Sequence, residues 1–275
     1  MTPASCSRRF ALESRCGNDA VALAAGEPDQ PVTPFFPSMR ILPNRWARWV
    51  SVIVFALGIV GVGGYLFFEP GWRYVVHGVD VSHHQGDIDW TDLADDRTDF
   101  AYIKATEGAD WIDPLFEANW RSAGQAGVLR GAYHFFTLCT PGGQQALNMI
   151  DVVPDATDML PPAVDLEFGG NCSERPSVDD FRGELDSFLG AIERHYRMRP
   201  VIYTNAQFYD TYLRDEPPDV IWWIMSPVLE PWGSPEWTLW QSFPGHRKGV
   251  EGRVDRNVFR GDLGELEALA RRKSR

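Results

Sequence analysis

The segment Pro161-Pro-Ala-Val-Asp165-Leu-Glu167-Phe168 sets two carboxylates two positions apart. An apolar run bounded by prolines reads as a short buried strand. Side chains alternate faces along a strand, so Asp165 and Glu167 point the same way, about 6.6 Å apart along the backbone. Repulsion between two such neighbours raises one pKa and leaves a protonated acid beside an ionised base. That pairing is the equipment for hydrolysing a glycosidic bond. The same residues also fit a strand end neutralised by Arg or Lys, and the octapeptide alone suits either reading.

The rest of the chain must place these acids. Its 275 residues allow one large domain with an appendage or two ordinary domains. The net charge of −12 argues against nucleic acid, whose phosphates require a basic surface. Residues 1–68 carry +2, which leaves −14 on residues 69–275. Residues 49–68 form an uncharged apolar run of about the length a bilayer core demands. Arg40, Arg45 and Arg48 precede it and Glu69 follows. The expectation is a single-pass signal-anchor in the cell (inner) membrane, with residues 1–48 cytoplasmic and residues 69–275 on the periplasmic or extracellular side. A cleaved signal peptide and a secreted product is the alternative. Residues 1–38 lack periodicity and read as disordered. Met39 opens a conventional basic leader, so it is a candidate true start. Cys6 and Cys16 fall in that tail, whereas Cys139 and Cys172 each follow an expected strand end. Export predicts a Cys139–Cys172 disulfide and a cytosolic location predicts free thiols. The cysteine spacing fits no zinc motif.

From Val75 onward, strand-like runs cover 75–82, 100–106, 129–136, 161–168, 200–205, 220–226, 236–243 and 253–259. Helical patterns cover 115–126, 143–152, 178–196 and 263–272, and the gaps after the sixth and seventh runs are short and rich in Pro and Gly. Eight strands alternating with helices predict an α/β fold, a TIM-like barrel incomplete in its last third, with a doubly wound open sheet as the alternative. In such barrels chemistry gathers where strands end. The ends here supply Asp80, His83 and His84, then Lys104 and Glu107, Tyr133, Asp165 and Glu167, Tyr203, Trp240 and Gln241, and Asp255.

These ends resemble family 25 of the glycoside hydrolases, the lysozymes of the N,O-diacetylmuramidase type. The resemblance lies in Gly78-Val-Asp-Val-Ser-His-His-Gln-Gly-Asp-Ile-Asp-Trp90, Tyr102-Ile-Lys-Ala-Thr-Glu-Gly108, Gly131-Ala-Tyr-His-Phe135 and Asp165-Leu-Glu167. It implies a flattened barrel of five β/α units followed by three strands. It further implies a muramidase that cleaves the β-1,4 bond between N-acetylmuramic acid and N-acetylglucosamine in peptidoglycan strands. Glu167 matches the general acid/base. Asp165 matches the second carboxylate, either as nucleophile or orienting a substrate acetamido group. Asp80 and Asp255 match the remaining acids, and Tyr133, Tyr203, Trp240 and Gln241 are expected to hold sugar rings. The histidines are expected to order a loop and Lys104 to compensate the acids. No cofactor or metal is called for, and a monomer is expected. Trp222-Trp-Ile-Met-Ser226-Pro departs from the family pattern of a small residue and a tyrosine after strand six. A non-catalytic wall-binding anchor and a hydrolase of chitin-like polymers are the competing functions.

Overall fold

The computed structural model describes residues 44–68, 73–231, 233 and 235–270. The expected tail, with Met39, Cys6 and Cys16, lies outside the described residues. The chain divides into two compact units, Met1–Val52 and Ile53–Arg275. The apolar run is helical, forming α1 (Asn44–Phe68). Trp46, Ala47 and residues 49–61, whose side chains are described, are all exposed. Among the described residues no helix is long and apolar enough to cross a membrane.

The remaining elements run β1 (Val76–Val81), α2 (Trp90–Asp95), β2 (Phe100–Glu107), β3 (Trp111–Ile112), α3 (Phe116–Gln125), β4 (Leu129–Phe135) and α4 (Gly142–Val152). They continue with β5 (Ala163–Leu166), α5 (Val178–Tyr196), β6 (Val201–Asn205) and α6 (Ala206–Phe208), which passes into a single π-helical turn (Tyr209–Leu213). The last elements are β7 (Ile221–Met225), β8 (Leu239–Gly245), β9 (Val254–Phe259) and α7 (Leu263–Ala270). All eight expected strands are present.

Parallel pairing links β1, β2, β4, β5, β6, β7 and β8 in turn, and β9 closes the ring by pairing antiparallel with both β8 and β1. The ring of strands is therefore complete, which excludes the open sheet, and the expected five β/α units followed by three strands are present. What the last third lacks, among the described residues, is helices between β7 and β9. β3 is a small antiparallel addition to β2.

Period-two alternation sorts the side chains. Phe100, Tyr102, Val201, Tyr203, Trp223, Leu239 and Phe259 fill the barrel interior. Their outward neighbours, among them Val79, Ile103, Val164 and Ile202, pack against Trp90, Phe116, Met149, Phe181 and Phe188 of the helices. Tyr102 and Trp223, from opposite sides of the ring, stack at 4.8 Å and plug it. Room for that plug comes from Gly131, where a Cβ would stand 2.4 Å from the Tyr102 ring. Where helices are missing, Trp237, Trp240, Val258 and Tyr74 cover the outside of the ring.

We expect Gly131→Ala to destabilise the barrel by about 1–3 kcal/mol, the usual cost of overpacking. Urea unfolding followed by tryptophan fluorescence measures it, and an unchanged midpoint would show that Tyr102 can move aside.

Candidate active site

One end of the ring opens into a cavity of about 200 Å³. β1 brings Asp80 to it, β4 Tyr133, β5 Asp165 and the following Glu167, β6 Tyr203, β8 Gln241 and β9 Asp255. These are the expected site residues with one exception. Trp240 is 2% exposed on the outer face, with Trp237, Val258 and Tyr74, and its indole N–H donates to the Ser226 carbonyl at 2.7 Å. Trp240 and Gln241 are consecutive on β8, so alternation allows only one of them to face the interior. Gln241 takes that place. Asp255 reaches the mouth by a different route from the other acids. β9 runs antiparallel to its neighbours, so the start of the strand, not its end, lies at the mouth.

Asp80 is the best-anchored acid. Its Oδ2 accepts from Gln241 Nε2 at 2.9 Å and from Asn257 Nδ2 at 2.7 Å. Tyr203 orients the first amide by donating to Gln241 Oε1 at 2.8 Å, and Trp223 orients the second by donating to Asn257 Oδ1 at 2.8 Å. Burial, and then the charge of Asp255, nevertheless push Asp80 up to about 7, with the two amides opposing the rise.

Asp165 still reaches the cavity, yet its Oδ1 is sealed from solvent and has no hydrogen-bond partner. A buried acceptor without a donor is costly and calls for a function. Burial, followed by the charges of Glu167 and Asp80, raises Asp165 well above the usual carboxylate range. Burial, and then Asp255, raises Glu167, while Lys104 acts against the rise. Asp255 is raised by burial, with Arg253 opposing. Lys104 is the buried cation expected among these acids. Its Nζ lies 2.7 Å from Glu107 and 4.9 Å from the ring centres of both Trp111 and Phe135. Burial also lifts the hydroxyls of Tyr133 and Tyr203, so both remain neutral donors.

Several working residues escape a sequence reading. Trp223 and Asn257 act through partners across the ring, which no local pattern encodes. Asn171 ties the loop after β4 to the loop after β5. Its Nδ2 donates to the carbonyls of Phe136 at 2.8 Å and Glu167 at 3.0 Å, and its Oδ1 accepts from Leu138 N at 2.8 Å. Glu167 is thus held at its backbone. His83 orders a loop as expected, with its N–H and Nδ1 at 2.9 and 2.8 Å from Asp113 Oδ2. Cys139 and Cys172 stand as free thiols, so the disulfide expected of an exported domain is not shown. They do touch: a hydrogen bond that Cys139 donates to Cys172 is the main cause of a raised Cys139 pKa. Among the described residues no group of three or more His, Cys, Asp or Glu could hold a metal ion.

The four acids bind protons more tightly folded than unfolded, so stability falls as pH rises through the interval between the two states' pKa values. For Asp80 that interval runs from 3.8 to about 7. We expect the melting temperature to drop between pH 4 and pH 7, and Asp80→Asn to drop less. Circular dichroism melts read both, and a wild-type curve that climbs across this interval would contradict the assignment.

Comparison with known proteins agrees with the site. The profile of Glycosyl hydrolases family 25 matches residues 79–244. Lysozyme M1 of Streptomyces globisporus is 35% identical over 71% of this chain and 71% of its own length. The YegX protein of Escherichia coli O157:H7 is 35% identical over 96% of this chain and 95% of its own. A solved structure of a family 25 glycosyl hydrolase from Bacillus anthracis superposes with a TM-score of 0.68 at 38% identity, over 71% of this chain and 94% of that one. With this profile match, these relatives and a closed barrel that gathers four acids at its mouth, the chain belongs to family 25 of the glycosyl hydrolases.

Proposed function

We propose that this chain is a muramidase that cleaves the β-1,4 bond between N-acetylmuramic acid and N-acetylglucosamine in peptidoglycan, with Glu167 as general acid and then general base. The observation that carries the mechanism is that Asp165 and Glu167 line the same cavity side by side. The part of the Asp165 carboxyl group that faces the cavity is an acceptor for a sugar's 2-acetamido N–H. Held by Asp165, the acetamido carbonyl oxygen attacks the anomeric carbon as the glycosidic C–O bond breaks, and the departing oxygen takes the proton of Glu167. Water then attacks the same carbon, gives its proton to the Glu167 carboxylate and restores the acetamido group. This substrate-assisted route is one of the recognised exceptions to a carboxylate nucleophile. Burial, and then the charge of Asp255, raises Glu167 toward the protonated form that a general acid needs, and Tyr133, Tyr203 and Gln241 supply neutral hydrogen bonds to the ring. The names lysozyme and N,O-diacetylmuramidase carried by relatives support the substrate.

Glu167→Gln should lower release of muropeptides from purified sacculi by about 10²–10⁴-fold, the span of general acid–base catalysis. Sacculus binding should persist. Equal release by mutant and wild type would remove Glu167 from the mechanism.

α1 supports a further reading, that it anchors the barrel to the cell membrane on the outer side. Its exposed Val, Ile, Leu and Phe meet no core among the described residues, and lipid is the solvent that accepts such a surface. In that oxidising space the touching thiols of Cys139 and Cys172 would join. Protease added to spheroplasts should then remove the barrel from the membrane fraction, and non-reducing mass spectrometry should find the two cysteines linked. A protected barrel with two alkylatable thiols would overturn the outward placement.

A further inference from the structure

The carboxylate cavity is small for a polymer. At about 200 Å³ it falls below the ~300–1,000 Å³ that enclose a drug-sized ligand, so it houses little more than one sugar ring. The sugars to either side must find their contacts on the rim.

A strip of rings leaves the cavity on one side. His84, in the turn after β1, is exposed and lines the cavity. His83 lies 4.0 Å from it, centre to centre, and Trp111 of β3 lies 5.3 Å beyond His83. The rings are tilted by 41° and 56° to one another, so the strip curves. Trp111 is 36% exposed, an unusual amount for an indole of the barrel. Ile112 beside it is 51% exposed.

The strip is built rigidly. Buried Asp113 joins its two loops by taking both hydrogen bonds from His83. Ser82 and Gln85 close a reciprocal cap around the histidine turn. Asn148 of α4 reaches up to the β2–β3 hairpin and donates to the carbonyls of Gly108 at 3.0 Å and Trp111 at 3.2 Å. The Lys104 ammonium sits 4.9 Å from the indole centre, which fixes the ring as well as serving the acids. None of these contacts covers the outer surface of Trp111. Fixed aromatic rings left open to water, continuous with a sugar-sized cavity, suit the apolar C–H faces of pyranose rings.

We propose that Trp111, His83 and His84 form a glycan-binding arm that holds sugars of the peptidoglycan strand beyond the one seated in the carboxylate cavity. The occupant is the polysaccharide itself, because the arm is continuous with the cavity that takes one of its rings. The inference rests on the muramidase reading for the identity of the polymer. It adds a positioning role for Trp111, which keeps long strands in register over Glu167.

The test uses the full chain in detergent, carrying Glu167→Gln so that substrate survives, with peptide-free glycan strands and a single disaccharide repeat as the two probes. Adding Trp111→Ala should weaken strand binding about ten-fold, the worth of one good ring contact, and weaken disaccharide binding much less. Trp111→Phe should restore most of the loss. Unchanged strand affinity, or an equal loss for both probes, would overturn the arm. Failure of the Glu167 protein to release muropeptides would instead reject the catalytic reading, and the binding comparison would still decide the arm.

Discussion

Two amide-to-carboxylate hydrogen bonds at Asp80 join the beginning of the barrel to its end. Gln241 on β8 and Asn257 on β9 both donate to one oxygen of an acid on β1. The amides are themselves set by Tyr203 on β6 and Trp223 on β7. A single buried acid on β1 thus organises side chains from four other strands of the ring. The arrangement also forms part of the wall of the cavity, which Gln241, Tyr203 and Trp223 line beside Asp80. Fold closure and site construction are the same set of contacts.

The cost of the site is electrostatic. Four carboxylates share one small mouth, and burial raises the pKa of each. The structure tempers the repulsion without abolishing it. Neutral amides, neutral tyrosines and one lysine surround the acids, and the lysine is already engaged by Glu107. Under the proposed mechanism a fully neutralised cluster would leave Glu167 ionised, so incomplete compensation is what that role requires, in line with the general finding that catalytic sites are locally strained and supported from elsewhere.

Much of this was legible in the residues, because one rule of strand geometry governs it. Alternation puts Asp165 and Glu167 on a common face and makes the eight strands recognisable, and the structure agrees on both. Applied to Trp240 and Gln241, the same rule forbids the two from sharing the cavity, so that error was avoidable. Other features had no local signal. β3 is two residues long and α2 six, too short for any periodicity to register. The direction of β9 is not written in its own residues either, and Asp255 reaches the mouth only because that strand runs backwards. Asn171 and Asn257 act across the fold, on partners that become neighbours only when the ring closes.

The reversal of β9 reaches beyond the placement of Asp255. With its first residues at the mouth, β9 must finish at the opposite end, where Phe259 pairs with Val76 and Leu239 at the starts of β1 and β8. α7 follows at once, and its Leu266 and Ala270 pack into the interior cluster from that end. The chain therefore leaves the barrel by the floor rather than by the rim. A reporter or an extra module joined after α7 would start from the end of the ring opposite the carboxylate cavity, clear of its entrance.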